Sequence, residues 1–341
     1  MTTKYAKDQP SGFTNHIHRI AIVGAGGSVG KPIAEALLQT GKHTITALTR
    51  PNSQSKLPSG VQSISVDYND TSSLATALKE QDCLIITLSV QAPPDTQSKL
   101  ISAAATAGIK YVMPNVWGCD LMHDPLANSG LTWGQMRSTL TDIEKKGLTW
   151  TALICGFWYE HSLLLGSGGF GFDFPGKKLT LNDDGNTKIN VSTQVQCGRA
   201  VATLLSLKVL PEDEHDEGLT VSRWANKPVY ISSFLLSQRD MFESWKRVTG
   251  EKERGEGWTV VEEGSKERYE RGLKMMRNGD REGFLLAMYS RVFFPNGDGD
   301  HEHRVGLDNE LLGLPVEDLD EQTLKAKGML ERGWHYFTNR V

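Results

Sequence analysis

The sequence predicts an α/β protein of the doubly wound, Rossmann type: a parallel sheet with helices on both faces, followed by a smaller, loop-rich C-terminal substrate domain. Three observations predict it. Up to residue 155, short apolar runs alternate with helix-length stretches, the pattern of successive right-handed βαβ units. The first apolar run, Ile20-Ala21-Ile22-Val23, enters Gly24-Ala25-Gly26-Gly27-Ser28-Val29-Gly30 and then a segment of helical periodicity from Pro32 to Leu38. After Cys155 the character changes, and Phe157, Trp158, Tyr159, Phe170, Phe172 and Phe174 crowd a glycine-rich stretch.

The glycine run is a strand–turn–helix suited to a pyrophosphate. Glycines at 24, 27 and 30 remove Cβ atoms, so the backbone turns tightly and approaches the phosphates, and the helix N-terminus directs N–H groups and the positive dipole end at them. Gly24, Gly27, Ser28, Val29 and Gly30 are therefore candidate cofactor contacts. The next strand, His43 to Leu48, ends in Thr49-Arg50, with Lys56 shortly after. An NAD site usually places a carboxylate there for the ribose hydroxyls, whereas an arginine forks around a 2′-phosphate. The expected cofactor is NADP(H), with Arg50 and Lys56 on its phosphate.

The remaining elements follow in order. Val61 to Val66 alternates like a strand and ends at Asp67; Thr71 to Glu80 has a Thr/Ser-rich, capped helix start. Asp82 to Leu88 reads as a buried strand, Thr96 to Ala107 as a helix stopped by Gly108, and Lys110 to Pro114 as the next strand. Leu140 to Lys146 belongs to a helix, and Thr149 to Ile154 to a strand. Ligands of such sheets bind beyond the carboxyl ends of the strands. The loops after Leu88, Met113 and Ile154 should line the site, with Asp67 and Ser89 among the cofactor contacts. Val191 to Leu207 returns to strand-then-helix. Val229 to Ser232 reads as a late strand; Phe234 to Thr249, Lys266 to Met276 and Phe284 to Phe294 read as helices; and Asn296 to His303 reads as a mobile loop. The expected division is a flexible arm over 1–17, a nucleotide-binding domain over 18–155 with 188–207 packing back on it, and a substrate region over 156–187 and 208–341.

Composition narrows the function. The chain has 341 residues, 38% hydrophobic and 23% charged, with a formal net charge of −4. That balance gives no basic excess for nucleic acid. No apolar run is long enough to span a bilayer, and the polar N-terminus lacks the apolar core of a signal peptide. Cys83, Cys119, Cys155 and Cys197 are widely spaced, as reduced thiols of a cytoplasmic protein are. His301-Glu302-His303 has no further ligand at metal-binding spacing, so no metal is expected. Oligomeric state is not legible.

The order and spacing of several segments resemble the NmrA-like group of atypical short-chain dehydrogenases, related to isoflavone and phenylcoumaran benzylic ether reductases. The matching pieces are Val23 to Gly30, Leu48-Thr49-Arg50, Lys110 to Gly118, Gly147 to Thr151, Gly156 to Glu160, and Val191-Ser192 through Gly198 to Ala202. The resemblance implies NADP(H), a cleft between the nucleotide-binding and smaller domains and, for many fungal members, service in secondary metabolism. It also implies a catalytic lysine near Met136, but the chain reads Trp133-Gly134-Gln135-Met136-Arg137-Ser138. Arg137 is a poor substitute because it stays charged. The Tyr-x-x-x-Lys pair of ordinary short-chain dehydrogenases is absent too.

Reduction of a carbonyl or imine needs a proton donor near the nicotinamide. The candidates are Tyr159 and His161, after the strand ending at Ile154, and then Asp120 and His123. Each also has a plain structural reading: Tyr159 as an aromatic wall, His161 as a helix-face residue, the other two as solvated loop groups. Trp117, Trp133, Phe157 and Trp158 would form a flat apolar pocket for an aromatic small-molecule substrate. Three functions remain open: an NADPH-dependent reductase of a bulky aromatic, imine or carbonyl natural product; a non-redox cyclase, of iminium or Pictet–Spengler type, holding NADP(H) structurally; and a dinucleotide-sensing regulator.

Overall fold

The computed structural model describes residues 5–250 and 257–334. In its first half the strands are β1 (Arg19–Val23), β2 (Thr44–Thr49), β3 (Gln62–Ser65), β4 (Cys83–Ile86), β5 (Tyr111–Met113), β6 (Trp117–Gly118) and β7 (Thr149–Ile154). The helices between them are α1 (Gly30–Gln39), α2 (Thr71–Leu78), α3 (Thr96–Ala107), α4 (Asp124–Ala127) and α5 (Trp133–Lys145). The second half holds β8 (Phe157–Trp158), α6 (Tyr159–Leu163), β9 (Phe172–Asp173), β10 (Lys178–Asn182), β11 (Ile189–Ser192), α7 (Gln194–Leu205) and β12 (Lys227–Tyr230). After them come β13 (Phe234–Leu236), α8 (Gln238–Thr249), β14 (Thr259–Glu263), α9 (Ser265–Arg277), α10 (Glu282–Val292), α11 (His301–Val305) and α12 (Leu319–Glu331).

The main sheet is parallel, in the order β12-β7-β5-β4-β1-β2-β3, with β6 also on β7. Strand order reverses between β1 and β4, which opens the crevice where doubly wound sheets take their ligands. β1 and β4 are buried on both faces, which explains their unbroken apolar runs. One apolar layer packs α1 and α7 on the sheet through Ile33, Leu37, Val201 and Leu204. The opposite layer starts at Leu74, Leu100 and Ile143 and continues without a break through Phe157, Phe170 and Phe293 into α8, α10 and α12. The C-terminal region therefore shares a core with the sheet. Its own small sheets are β14-β10-β9 and β13-β11-β8.

Four expectations are corrected. Described residues of the supposed arm are anchored: the Ala6 amide donates to Pro211 O at 2.8 Å, Asn15 bonds Leu210 through both its backbone groups, and Ile17 is buried. Residues 1–4 lie outside the described residues. β12 belongs to the main sheet, on its edge, where the missing N–H of Pro228 is tolerated. The expected helix over Phe234 to Thr249 begins as β13. Ser237 then starts α8 with a capping box, its hydroxyl accepting from the Asp240 amide while Asp240 accepts from the Ser237 amide. Asn296 to His303 is structured, because Asp298 and His301 are buried and α11 starts at His301.

All four cysteines are buried free thiols. Among the described residues no group of three metal-ligating side chains forms, and no helix is long and apolar enough to cross a membrane.

Candidate nucleotide and reactant site

The glycines of the turn divide into two kinds. A Cβ on Gly24 would lie 2.1 Å from Thr87 O, and one on Gly30 would lie 2.1 Å from Gly24 O. Both are packing glycines, drawing the ends of β1 and β4 and the start of α1 together; Gly24 also sits at φ +82°. Thr87 reinforces the joint by donating its hydroxyl to Val23 O at 2.7 Å. Gly27 differs. A Cβ there would meet only Gly24 O, at 3.1 Å, and Gly27 and Ser28 are exposed. The N-cap Val29 offers no side-chain cap to α1, and its own side chain is buried in the core. The result is a bare, open backbone cradle at a helix N-terminus, which fits a dinucleotide pyrophosphate.

The segment after β2 closes on this cradle. Ser55 lies against Gly26, whose Cβ would come within 2.1 Å of the Ser55 hydroxyl and 3.0 Å of Lys56 O. Lys56 is thus brought to the turn, and Arg50 stands exposed at the end of β2 with no carboxylate in the Asp/Glu position. Next to it, Tyr68 donates to Leu48 O at 2.9 Å, and burial pushes its phenol up to about 12. Asp67 and Ser89 are exposed on neighbouring loops, each accepting from a local amide, of Asn69 and Gln91. Asn115 clamps the loops after β4 and β5 together: it accepts from the Leu88 amide at 2.9 Å, and its own amide donates to Gln97.

The proposed acid/base groups are not brought together. Tyr159 is completely buried; its hydroxyl meets Thr323 Oγ1 at 2.6 Å, and burial raises its pKa far above the ordinary value. His161 is half-buried between the rings of Trp158 and Trp334, at centroid distances of 5.6 and 5.3 Å. Asp120 is buried, accepting from Arg304 at 2.8 Å and Tyr230 at 3.2 Å. His123 pairs with Asp298 at 2.7 Å, and Arg291 pairs with the same carboxylate at 2.6 Å. Burial opposes the Asp298 charge, but these hydrogen bonds outweigh it and hold the carboxyl below its usual range. Asp120 is thus bound to α11 and β12, and His123 to the segment leading into α11; neither is a solvated loop group.

The flat aromatic wall does not form either. Trp117 lies in the α1/α7 layer, donating its Nε1 to Ile86 O at 2.8 Å, and Trp158 packs on the same layer. Trp133 and Phe157 lie in the opposite layer, where Phe157 stacks on Tyr289 at 4.1 Å. At the expected lysine position Met136 is half-buried against the core, and Arg137 is tied to Asp124 at 2.5 Å.

Glu160 is the group that sequence reasoning passed over. It is 9% exposed, and its Oε1 accepts from the Gln194 amide at 3.2 Å, while Oε2 is buried without a partner. Burial pushes its carboxyl up to about 7. A charged residue between buried Tyr159 and half-buried His161 was the available signal.

Comparison with known proteins agrees with this geometry. Residues 24–162 match the family model described as NAD(P)H-binding. The chain is 26% identical over 311 residues to the oxidoreductase aprR of Aspergillus flavus, covering 89% of this chain and 96% of aprR. It is 27% identical over 233 residues to phenylcoumaran benzylic ether reductase 1 of Arabidopsis thaliana, covering 61% of this chain and 74% of that one. The structure of AtPrR2 with NADP+ and (+)-pinoresinol superposes with a TM-score of 0.68 at 20% identity, over 92% of this chain and 100% of the other, a likeness of fold.

Proposed function

Because the chain belongs to the NmrA-like, isoflavone-reductase-like family of atypical short-chain dehydrogenases, we propose that it is an NADPH-dependent reductase of a bulky aromatic carbonyl or imine compound in secondary metabolism. The observation that carries the reading is the open cradle at Gly27 and Ser28, with Arg50 where a carboxylate would otherwise select NAD. Gly24 and Gly30 shape the turn, the first N–H groups of α1 meet the pyrophosphate, and Arg50 and Lys56 meet the 2′-phosphate. When bound, the nicotinamide supplies hydride. Asn115 holds the loops after β4 and β5 together at the carboxyl end of these strands, where the nicotinamide would be held. The aprR protein and the benzylic ether reductase, oxidoreductases by name, support the reaction class, and the pinoresinol of AtPrR2 supports an aromatic reactant.

One observation favours a second reading. Met136, at the lysine position, has no proton to give. A chain that only shapes a pocket around NADP(H) could close a ring through an iminium ion without net redox. Deuterated NADPH separates the two. A reductase yields labelled product, one hydride per turnover, and is inactive with NADP+; turnover with NADP+ and no label would establish the cyclase.

A further inference from the structure

The segment joining β2 to β3 carries a hydroxyl beside the two cations proposed for the 2′-phosphate. Arg50 to Ser53 form a tight turn: the Ser53 amide donates to Arg50 O at 3.1 Å, and Asn52 stands at φ +60°. Pro51 fixes the second position of the turn, and asparagine tolerates the positive φ of the third, as a type II turn requires. Such a turn brings the Cα atoms of its first and last residues within about 7 Å, so the Ser53 hydroxyl stands within reach of the Arg50 guanidinium. The chain then runs without helix or strand to β3, and on the way Ser55 lies against the glycine turn at Gly26.

Exposure and charge say what this hydroxyl is open to. Every residue from Arg50 to Lys56 is exposed. Ser53 Oγ accepts from the Ser55 amide at 3.3 Å, which leaves its own hydrogen uncommitted. No carboxylate occurs in the chain between Glu35 and Asp67. Neither Arg50 nor Lys56 forms an ion pair among the described residues. An arginine three residues before a serine, in exposed irregular chain free of acidic neighbours, complements the acidic cleft of an arginine-directed protein kinase. A phosphoryl group placed there brings a charge of about −1.5 to −2 and three acceptor oxygens, the match for an arginine fork and a lysine.

We propose that Ser53 is a phosphorylation site and that its phosphate takes Arg50 and Lys56 in place of the cofactor's 2′-phosphate, closing the site to NADP(H). The assignment rests on the reading of these two cations as the 2′-phosphate site. In the modification the Ser53 hydroxyl oxygen attacks the γ-phosphorus of ATP held by the kinase. The new O–P bond forms, the bond to the β-phosphate oxygen breaks, ADP leaves, and the hydroxyl proton passes to the base of the kinase. Phosphoserine and the 2′-phosphate are both phosphate monoesters, so one pair of cations cannot serve them at once. The phosphoserine is tethered three residues from each cation, which gives it the advantage of an intramolecular partner. Linkage makes the exclusion mutual: bound NADP(H) occupies Arg50 and protects Ser53 from the kinase.

The test treats the full chain with magnesium ATP and the catalytic subunit of cyclic-AMP-dependent protein kinase. Mass spectrometry should place one phosphate on Ser53 of wild type and none at that position in Ser53→Ala, and saturating NADP+ should slow the transfer. Calorimetry should then find the NADP+ affinity of phosphorylated wild type reduced roughly 10–100-fold, the worth of the charge-assisted bonds it loses. NAD+ affinity and circular dichroism should be unchanged, and Ser53→Ala after the same treatment should bind NADP+ as untreated wild type does. Absence of phosphate on Ser53, or undiminished NADP+ affinity in the phosphorylated protein, overturns the proposal. An equal loss of NAD+ affinity overturns it too, because the phosphate would then be disrupting the turn and not displacing the 2′-phosphate. Unmodified wild type that binds NAD+ as tightly as NADP+ overturns the 2′-phosphate reading instead.

Discussion

Replacing Tyr159 with Phe should weaken the fold and spare the chemistry. The phenol is completely buried; its hydroxyl meets Thr323 Oγ1 at 2.6 Å, and the Ser244 hydroxyl also acts on it. Ser244 donates to Asp320 at 2.6 Å, and the Thr323 hydrogen is directed at Leu319 O at 2.9 Å or at Ser244 at 2.7 Å. Tyr159 is therefore the donor, and its removal deprives Thr323 of one hydrogen in a dry site. The ring stays, edge-on to Phe234 at 5.9 Å, so no cavity larger than an oxygen opens. The cost is that of a buried hydrogen bond with one partner stranded, about 1–2 kcal/mol. Urea denaturation should give a lower midpoint at unchanged m-value, and thermal unfolding should fall by roughly 2–4 °C. NADPH affinity and turnover should match wild type. A loss of roughly 10²–10⁴ in turnover at unchanged stability, the mark of a positioned acid, would refute the reasoning and put Tyr159 in the reaction.

Three other substitutions test the site. Arg50→Asp should cost roughly 2–4 kcal/mol of NADP(H) binding by calorimetry while leaving NAD(H) no weaker; equal affinity of wild type for both cofactors would remove the 2′-phosphate assignment. Gly27→Val should abolish cofactor binding in a folded protein, its side chain filling the open cradle, whereas Gly30→Val should unfold it, because its Cβ lies 2.1 Å from backbone; circular dichroism and cofactor titration of the pair read this out, and a folded Gly27→Val with normal affinity contradicts it. Glu160→Gln should change how cofactor-free stability depends on pH. The folded-state pKa is raised from 4.5 to about 7, so the Glu160 contribution is fully present below pH 4.5 and is lost as pH rises through about 7. The variant should gain on wild type across that window, by about 3 kcal/mol at full extent, as chemical denaturation at pH 4.5 and 8 would show; a constant difference would mean that Glu160 ionises normally.

The half of the fold that was legible is the half whose signals are local. Ile20 to Val23 reads as a strand because both its faces are buried, and Thr96 to Ala107 reads as a helix because Gly108 ends it in the left-handed region. Where the sequence misled, a competing signal was present. Ser237 and Asp240 spell a helix start, and they divide the apolar run from Phe234 into a strand and a helix. Pro228 argued against a sheet position, and only the edge placement of β12 reconciles it. The arm at Ala6 and Asn15 carries no pattern at all: its partners Pro211, Leu210 and Glu212 lie some two hundred residues away.

The same distinction governs the site. The glycine turn was legible because its geometry is set within seven residues and one neighbouring strand. Tyr159, Asp120 and His123 were not, because their roles are fixed by Thr323, Arg304 and Asp298, on C-terminal segments with no motif to announce them. Each of the three looks reactive in sequence and has a polar atom bound by a protein group in the structure. A buried polar side chain that is already paired serves the fold, and displacing its partner for a reactant would cost what the pair contributes. Glu160 is the converse. It sits in a segment that sequence reads as aromatic packing, yet one of its oxygens is buried and unpaired. At the position where the resemblance implies a lysine, Met136 has no proton to give. Burial raises the Glu160 carboxyl towards neutrality although Lys325 nearby favours its charged form, so desolvation of the charge outweighs the attraction of the cation.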